Sequence, residues 1–197
     1  AVVEALDTLA HQQRADGVVL SGDITQRACK PAWAVSAAFG TVLEPVHRSA
    51  ELLVVCLNTT RPWRQKDGEV CALQTDRVAV HVAHAEPAQL RVFVMHQPVA
   101  VTRGEDEPNR LRGHAAALRP WAGAGADLVM GGHIHLPCVM LLQGLARPLR
   151  PLRPLWVVQA GTAVSSRVRD GAPSSANLLR WGADAAPGCC RIEQWDC

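Results

Sequence analysis

The chain has 197 residues, 48% of them apolar and 19% charged, with a formal charge of +2. That length suits one soluble globular domain, expected to span residues 1–197, and argues against two. No uninterrupted apolar run approaches the ~18 residues of a membrane span, and the near-balanced charge demands neither nucleic acid nor an anionic membrane as a partner.

In chain order, Val2, Val3, Leu6, Leu9 and Ala10 fall at helical spacing within residues 2–14, with no capping residue before them. Gly17-Val18-Val19-Leu20 reads as a short buried strand that closes in Ser21-Gly22-Asp23, and a helix is expected over Ala32 to Phe39. Glu51 to Leu57 is a second apolar strand. Asp67 is positioned to cap a helix running through Val70, Leu73 and Val80 toward His84. A third strand, Leu90 to Met95, stops at His96-Gln97-Pro98, and Leu111, Leu118 and Trp121 mark the next helix face. The fourth strand, Asp127 to Met130, runs into Gly131-Gly132-His133-Ile134-His135. Later strands are expected at Cys138 to Leu142, Leu155 to Gln159 and Cys190 to Trp195.

Arg-Pro-Leu occurs three times in succession from Arg147 to Leu155. Proline at every third position forbids both helix and central strand, which leaves a polyproline-like surface loop. A basic docking arm for nucleic acid is the competing reading; it ranks well below, since six Trp, two Phe and no Tyr offer no stacking platform. The seven cysteines form an odd set without a C-x-x-C pair. That pattern, and the absence of a signal peptide at the N-terminus, lead to an expectation of reduced thiols in a cytoplasmic protein.

Chemistry gathers where strands end. Asp23, His96, and His133 with His135 each follow an apolar strand, and helices are expected between those strands. Parallel neighbours would bring all four side chains to one edge of the sheet, where α/β proteins build their sites. Residues i and i+2 of an extended segment point the same way, so both rings of His133 and His135 would face one ligand, with Gly131 and Gly132 allowing close backbone approach. A carboxylate with three imidazoles suits manganese, iron or zinc better than calcium. His11, His47, His81, His84 and His114 are expected to be surface or packing residues.

With these pieces in place, the chain resembles the calcineurin-like metallophosphoesterases. The matching residues are Val18 to Thr25 (Val-Val-Leu-Ser-Gly-Asp-Ile-Thr), Leu57-Asn58-Thr59-Thr60, His96-Gln97-Pro98 and Gly132-His133-Ile134-His135. The Leu57-Asn58-Thr59 strand end is similar to the cyclic-nucleotide phosphodiesterase branch. The resemblance implies an α/β fold, a four-layer αββα metallophosphoesterase sandwich, and two metals clamping a phosphate while metal-activated water attacks in line. On this basis Asp23 would bridge the metals, His96 and His133 would hold one, and His135 the other. The substrate would be a small-molecule phosphoester, such as a cyclic nucleotide.

Two family motifs are missing. None of the ten aspartates is followed two places later by histidine, and Asn58, Asn109 and Asn177 do not begin an Asn-His pair. The expected fold is therefore truncated at the N-terminus and internally shortened, with only 27 residues between Asp23 and Glu51. With fewer ligands, the expectation is at most one well-held metal, weak or absent turnover, and self-association through uncovered sheet edges. The alternative is a catalytically degenerate paralogue that binds phosphate or nucleotide without turnover.

Overall fold

A computed structural model describes residues 8–15, 44–61, 67–142, 154–163, 168–169, 171–182, 186 and 188–196. The fold is mixed α/β. Among the described residues six strands form one sheet: β1 (Val46–Arg48), β2 (Leu52–Cys56), β3 (Leu90–Val94), β4 (Leu128–Gly131), β5 (Cys138–Leu141) and β6 (Trp156–Gln159), in the spatial order β1-β2-β3-β4-β6-β5. β2, β3, β4 and β6 run parallel, while β1 and β5 are antiparallel to β2 and β6. A separate antiparallel pair joins β7 (Ser175–Arg180) to β8 (Arg191–Asp196).

The central strands are apolar apart from Arg91 in β3 and Gln159 at the end of β6, because both of their faces are covered. On one face α1 (Ala72–Ala83) and α2 (His114–Ala124) pack over Leu53, Val55, Phe93, Val129 and Val157. On the other, Val54, Val92, Val94, Leu128 and Val158 meet Leu179 and Ile192 of the β7–β8 pair, with Trp181 just beyond β7. Trp121 anchors the helical face. It is fully buried, stands edge-on to Phe93 at a centroid distance of 5.2 Å, and donates its indole N–H to the Thr75 carbonyl at 3.2 Å.

The expected strands at Glu51–Leu57, Leu90–Met95, Asp127–Met130, Cys138–Leu142 and Leu155–Gln159 all form, within a residue or two of their expected bounds. Three corrections apply. Helix α1 begins at Ala72, with Cys71 as its N-cap and the Cys71 N–H donating to the Gln74 side-chain oxygen, whereas Asp67 pairs with Arg112 instead of capping. The buried face of α1 is Thr75, Val78 and Val82, while Leu73 and Val80 are exposed at 76% and 57%. Leu111 is buried ahead of α2 rather than on it, and the 3₁₀ turn Gly104–Asn109 was not expected.

Residues 8–12 are helical, in keeping with the N-terminal periodicity. The strand at 17–20, the helix at 32–39 and most of the Arg-Pro-Leu repeat lie outside the described residues, as does Asp23. Among the described residues no helix is long and apolar enough to cross a membrane.

Candidate metal centre

Because β3 and β4 are parallel neighbours, their carboxyl ends emerge side by side and their following loops are tied together. The Met95 N–H donates to the Met130 carbonyl at 3.0 Å, and the Gly132 N–H donates to the His96 carbonyl at 2.9 Å. β6 closes the other side through the Ala160 N–H, which donates to the Gly131 carbonyl at 2.8 Å. Beside them, the buried Thr59 hydroxyl donates to the Gln97 Oε1 at 2.6 Å, linking the loop after β2 to the loop after β3. Asn58 makes a local turn, its Oδ1 accepting from the Thr60 N–H at 3.1 Å and the Thr60 hydroxyl at 2.5 Å.

The segment carrying His133 and His135 is not extended, which corrects the geometry expected from i and i+2 spacing. His133 has φ +70° and His135 φ +54°, both in the left-handed region. The Ile134 N–H reaches back to the Gly132 carbonyl at 2.8 Å, so His133 sits at the centre of a γ-turn of the rare positive-φ kind. L residues with Cβ pay about 1–3 kcal/mol for such a conformation, and it persists only where surrounding contacts over-determine it. Here those contacts include the Gly132 peptide, whose N–H is held by His96 and whose carbonyl also accepts from the Gln159 side-chain amide.

The turn delivers His133 to His96. Their rings stand edge to face at 78° with centroids 4.8 Å apart, and the His133 Nδ1 lies 2.9 Å from the His96 Nε2. A hydrogen bond at this contact needs a proton on one nitrogen and a lone pair on the other. Two imidazoles sharing a tetrahedral ion at ~2.05 Å would stand about 3.3 Å apart, so joint coordination would open this 2.9 Å contact by a few tenths of an ångström. His96 and His133 are thus a neighbouring pair of imidazole donors, a ligand type that suits zinc and iron.

His135 is half-buried on the same edge of the sheet. Among the described residues no group of three His, Cys, Asp or Glu side chains gathers closely enough to hold a metal ion.

Gln159 was read from sequence only as the end of a strand. It is fully buried, and the one available signal was its position, an amide closing the apolar run Trp156-Val157-Val158 at the same edge as the histidines.

Elsewhere, His11, His47 and His84 are exposed and His81 half-buried, as expected of surface and packing residues. His114 begins α2 beside an open cleft of about 530 Å³ lined by Glu69, Glu107, Arg110 and Arg112, a lining that includes neither His96 nor His133. Its Nδ1–H donates to the Leu111 carbonyl at 2.6 Å, and its Nε2 accepts from the Arg110 guanidinium. Burial, and the Arg110 charge after it, hold the His114 pKa below the ordinary histidine value, against the opposing pull of Leu111 and Glu107.

The described cysteines Cys56, Cys71, Cys138, Cys189 and Cys190 carry free thiols, and burial with the nearby Asp127 charge pushes Cys190 up to about 11. Burial likewise raises Cys56 and Cys138, so these two and Cys190 are poor nucleophiles at neutral pH.

No protein-family model matches the chain, and no curated protein matches its sequence.

Proposed function

We propose that the chain is a metal-dependent phosphoester hydrolase of the calcineurin-like metallophosphoesterase type, acting on a small phosphodiester or phosphomonoester. The observation that carries this reading is the His96–His133 pair, two imidazole nitrogens 2.9 Å apart at the carboxyl ends of adjacent parallel strands. His96 and His133 hold one ion in this reading. Asp23 and His135 complete the ligand set, with the αββα sandwich as the full fold.

When bound, the cation supplies charge neutralisation for the phosphate oxygens and lowers the pKa of an attacking water. The chain's own part is to fix two donor nitrogens before the ion arrives. It does so with a strained turn whose peptide is held from both sides, so little ordering remains for the binding step.

The test is hydrolysis of bis(p-nitrophenyl) phosphate with manganese. Turnover is expected to fall by two orders of magnitude or more in His96→Ala, His133→Ala and Asp23→Ala. A wild-type rate no higher than that of Asp23→Ala removes the enzymatic reading. Manganese-dependent phosphate binding without turnover then assigns the degenerate binding role instead.

A further inference from the structure

Gln159 lies at the tip of β6, fully buried, beneath the turn that carries the histidines. Its Nε2 donates to the Gly132 carbonyl, and its Oε1 has no hydrogen-bond partner among the described residues. A methionine would fill a similar volume without burying an unsatisfied oxygen, so packing alone gives no reason for an amide here. The donor is the N–H₂ end of the amide, the only end that can hydrogen-bond to a carbonyl oxygen.

The neighbouring backbone lies close to the same group. A Cβ at Gly131 would stand 3.0 Å from the Gln159 Oε1 and 3.4 Å from its Nε2, so a side chain at 131 would press the amide by a few tenths of an ångström. The accepting carbonyl is also the one that closes the γ-turn at His133 through the Ile134 N–H. One carbonyl oxygen therefore takes two donors, one that forms the turn and one that fixes it to β6.

We propose that Gln159 is a positioning residue that clamps the Gly132 carbonyl, holding His133 in its positive-φ turn with its Nδ1 facing His96. It touches neither imidazole and acts through the Gly132 peptide. The consequence for metal uptake rests on the functional reading above; the clamp itself does not. Groups that orient metal ligands from behind change metal affinity by about 10–100-fold when removed.

The experiment compares the wild-type chain with Gln159→Met, which deletes the donor, Gly131→Ala, which crowds the same amide, and Ser175→Ala. Ser175 is another buried residue with an unpartnered oxygen and controls for general loss of packing. The imidazole ¹⁵N and ¹H signals of histidine-labelled, metal-free protein are read first, and manganese affinity by calorimetry second. Gln159→Met is expected to shift the His96, His133 and His135 signals and weaken manganese binding at least tenfold. Gly131→Ala should shift the same signals by less, and Ser175→Ala should leave both readouts at wild type.

If Gln159→Met does not fold, the Gly131→Ala spectrum decides. Unchanged imidazole signals in the folded clamp variants, or equal shifts in Ser175→Ala, overturn the clamp. A wild-type chain that takes up no manganese overturns the functional reading instead, and the metal-free spectra still decide the clamp.

Discussion

Histidines 133 and 135 are the only non-glycine residues besides Arg14 with positive φ among the described residues, and both fall in the segment that carries the proposed chemistry. Their residue types and order were legible from the sequence. Their conformation was not: the contacts around the His133 turn come from His96 and Gln159, partners 37 residues before His133 and 27 residues after Gly132. Local pattern reads spacing along a chain, and an extended segment was the natural inference from i and i+2.

His114 shows the reverse case, a residue rightly set aside from the site yet chemically specific. Burial first, and then the Arg110 guanidinium that a protonated ring would face, make the folded state favour the neutral imidazole. A histidine pKa lowered on folding means that the unfolded chain binds the extra proton first. Stability is therefore retained above the ordinary histidine value of 6.5 and lost as pH falls below it, until the folded-state pKa is passed. Between pH 7.5 and 5, the wild type should lose more melting temperature than His114→Gln; parallel slopes would remove this account.

At the scale of elements, strands were easier to find than helix faces. β2, β3, β4 and β6 are short apolar runs buried between two layers, and no other element gives that composition so compactly. β1 is exposed at all three positions and β7 has one buried residue followed by five half-buried ones, so neither carries an apolar run or an alternation to read. On α1 the placement of Asp67 as cap led to the wrong stripe. Thr75 lies two residues after Leu73, about 200° further round a helix, so choosing one stripe excludes the other.

The assignment has a measurable consequence. Leu73→Gln should change unfolding free energy by no more than about 0.5 kcal/mol, as expected of an exposed position. Trp121→Ala, which empties the space between α1, α2 and Phe93, should cost about 3–5 kcal/mol in urea unfolding. A small Trp121 effect beside a large Leu73 effect would reverse the assigned faces.

For the whole molecule, the alternation of apolar strands with helical segments was enough to anticipate a parallel sheet and a single edge for His96, His133 and His135. The antiparallel strands at the two ends of the described order, and the β7–β8 pair over the second face, were not legible as pairings. Partner choice between short strands depends on long-range packing that periodicity does not encode.

On the proposed function, manganese at 100 times its dissociation constant should add about 2.7 kcal/mol to folding stability. For a chain of this size that is a rise in melting temperature of roughly 5–10 °C. His133→Ala should abolish the rise, and an equal rise in that variant would place the ion elsewhere. Light scattering of the same samples checks the expected self-association, which a monodisperse monomer would rule out.

The lashing of Gly132 also has a kinetic signature. Loop amides ordinarily trade their protons for solvent deuterium quickly, whereas Gly132, Ile134 and Ala160 each donate to a carbonyl within a structure sewn across three strand tips. Deuterium labelling should therefore find an island of slow exchange in the loop after β4, with protection closer to that of the strands than to that of a surface connection. Such an island would mean that the loop opens only when the sheet beneath it does.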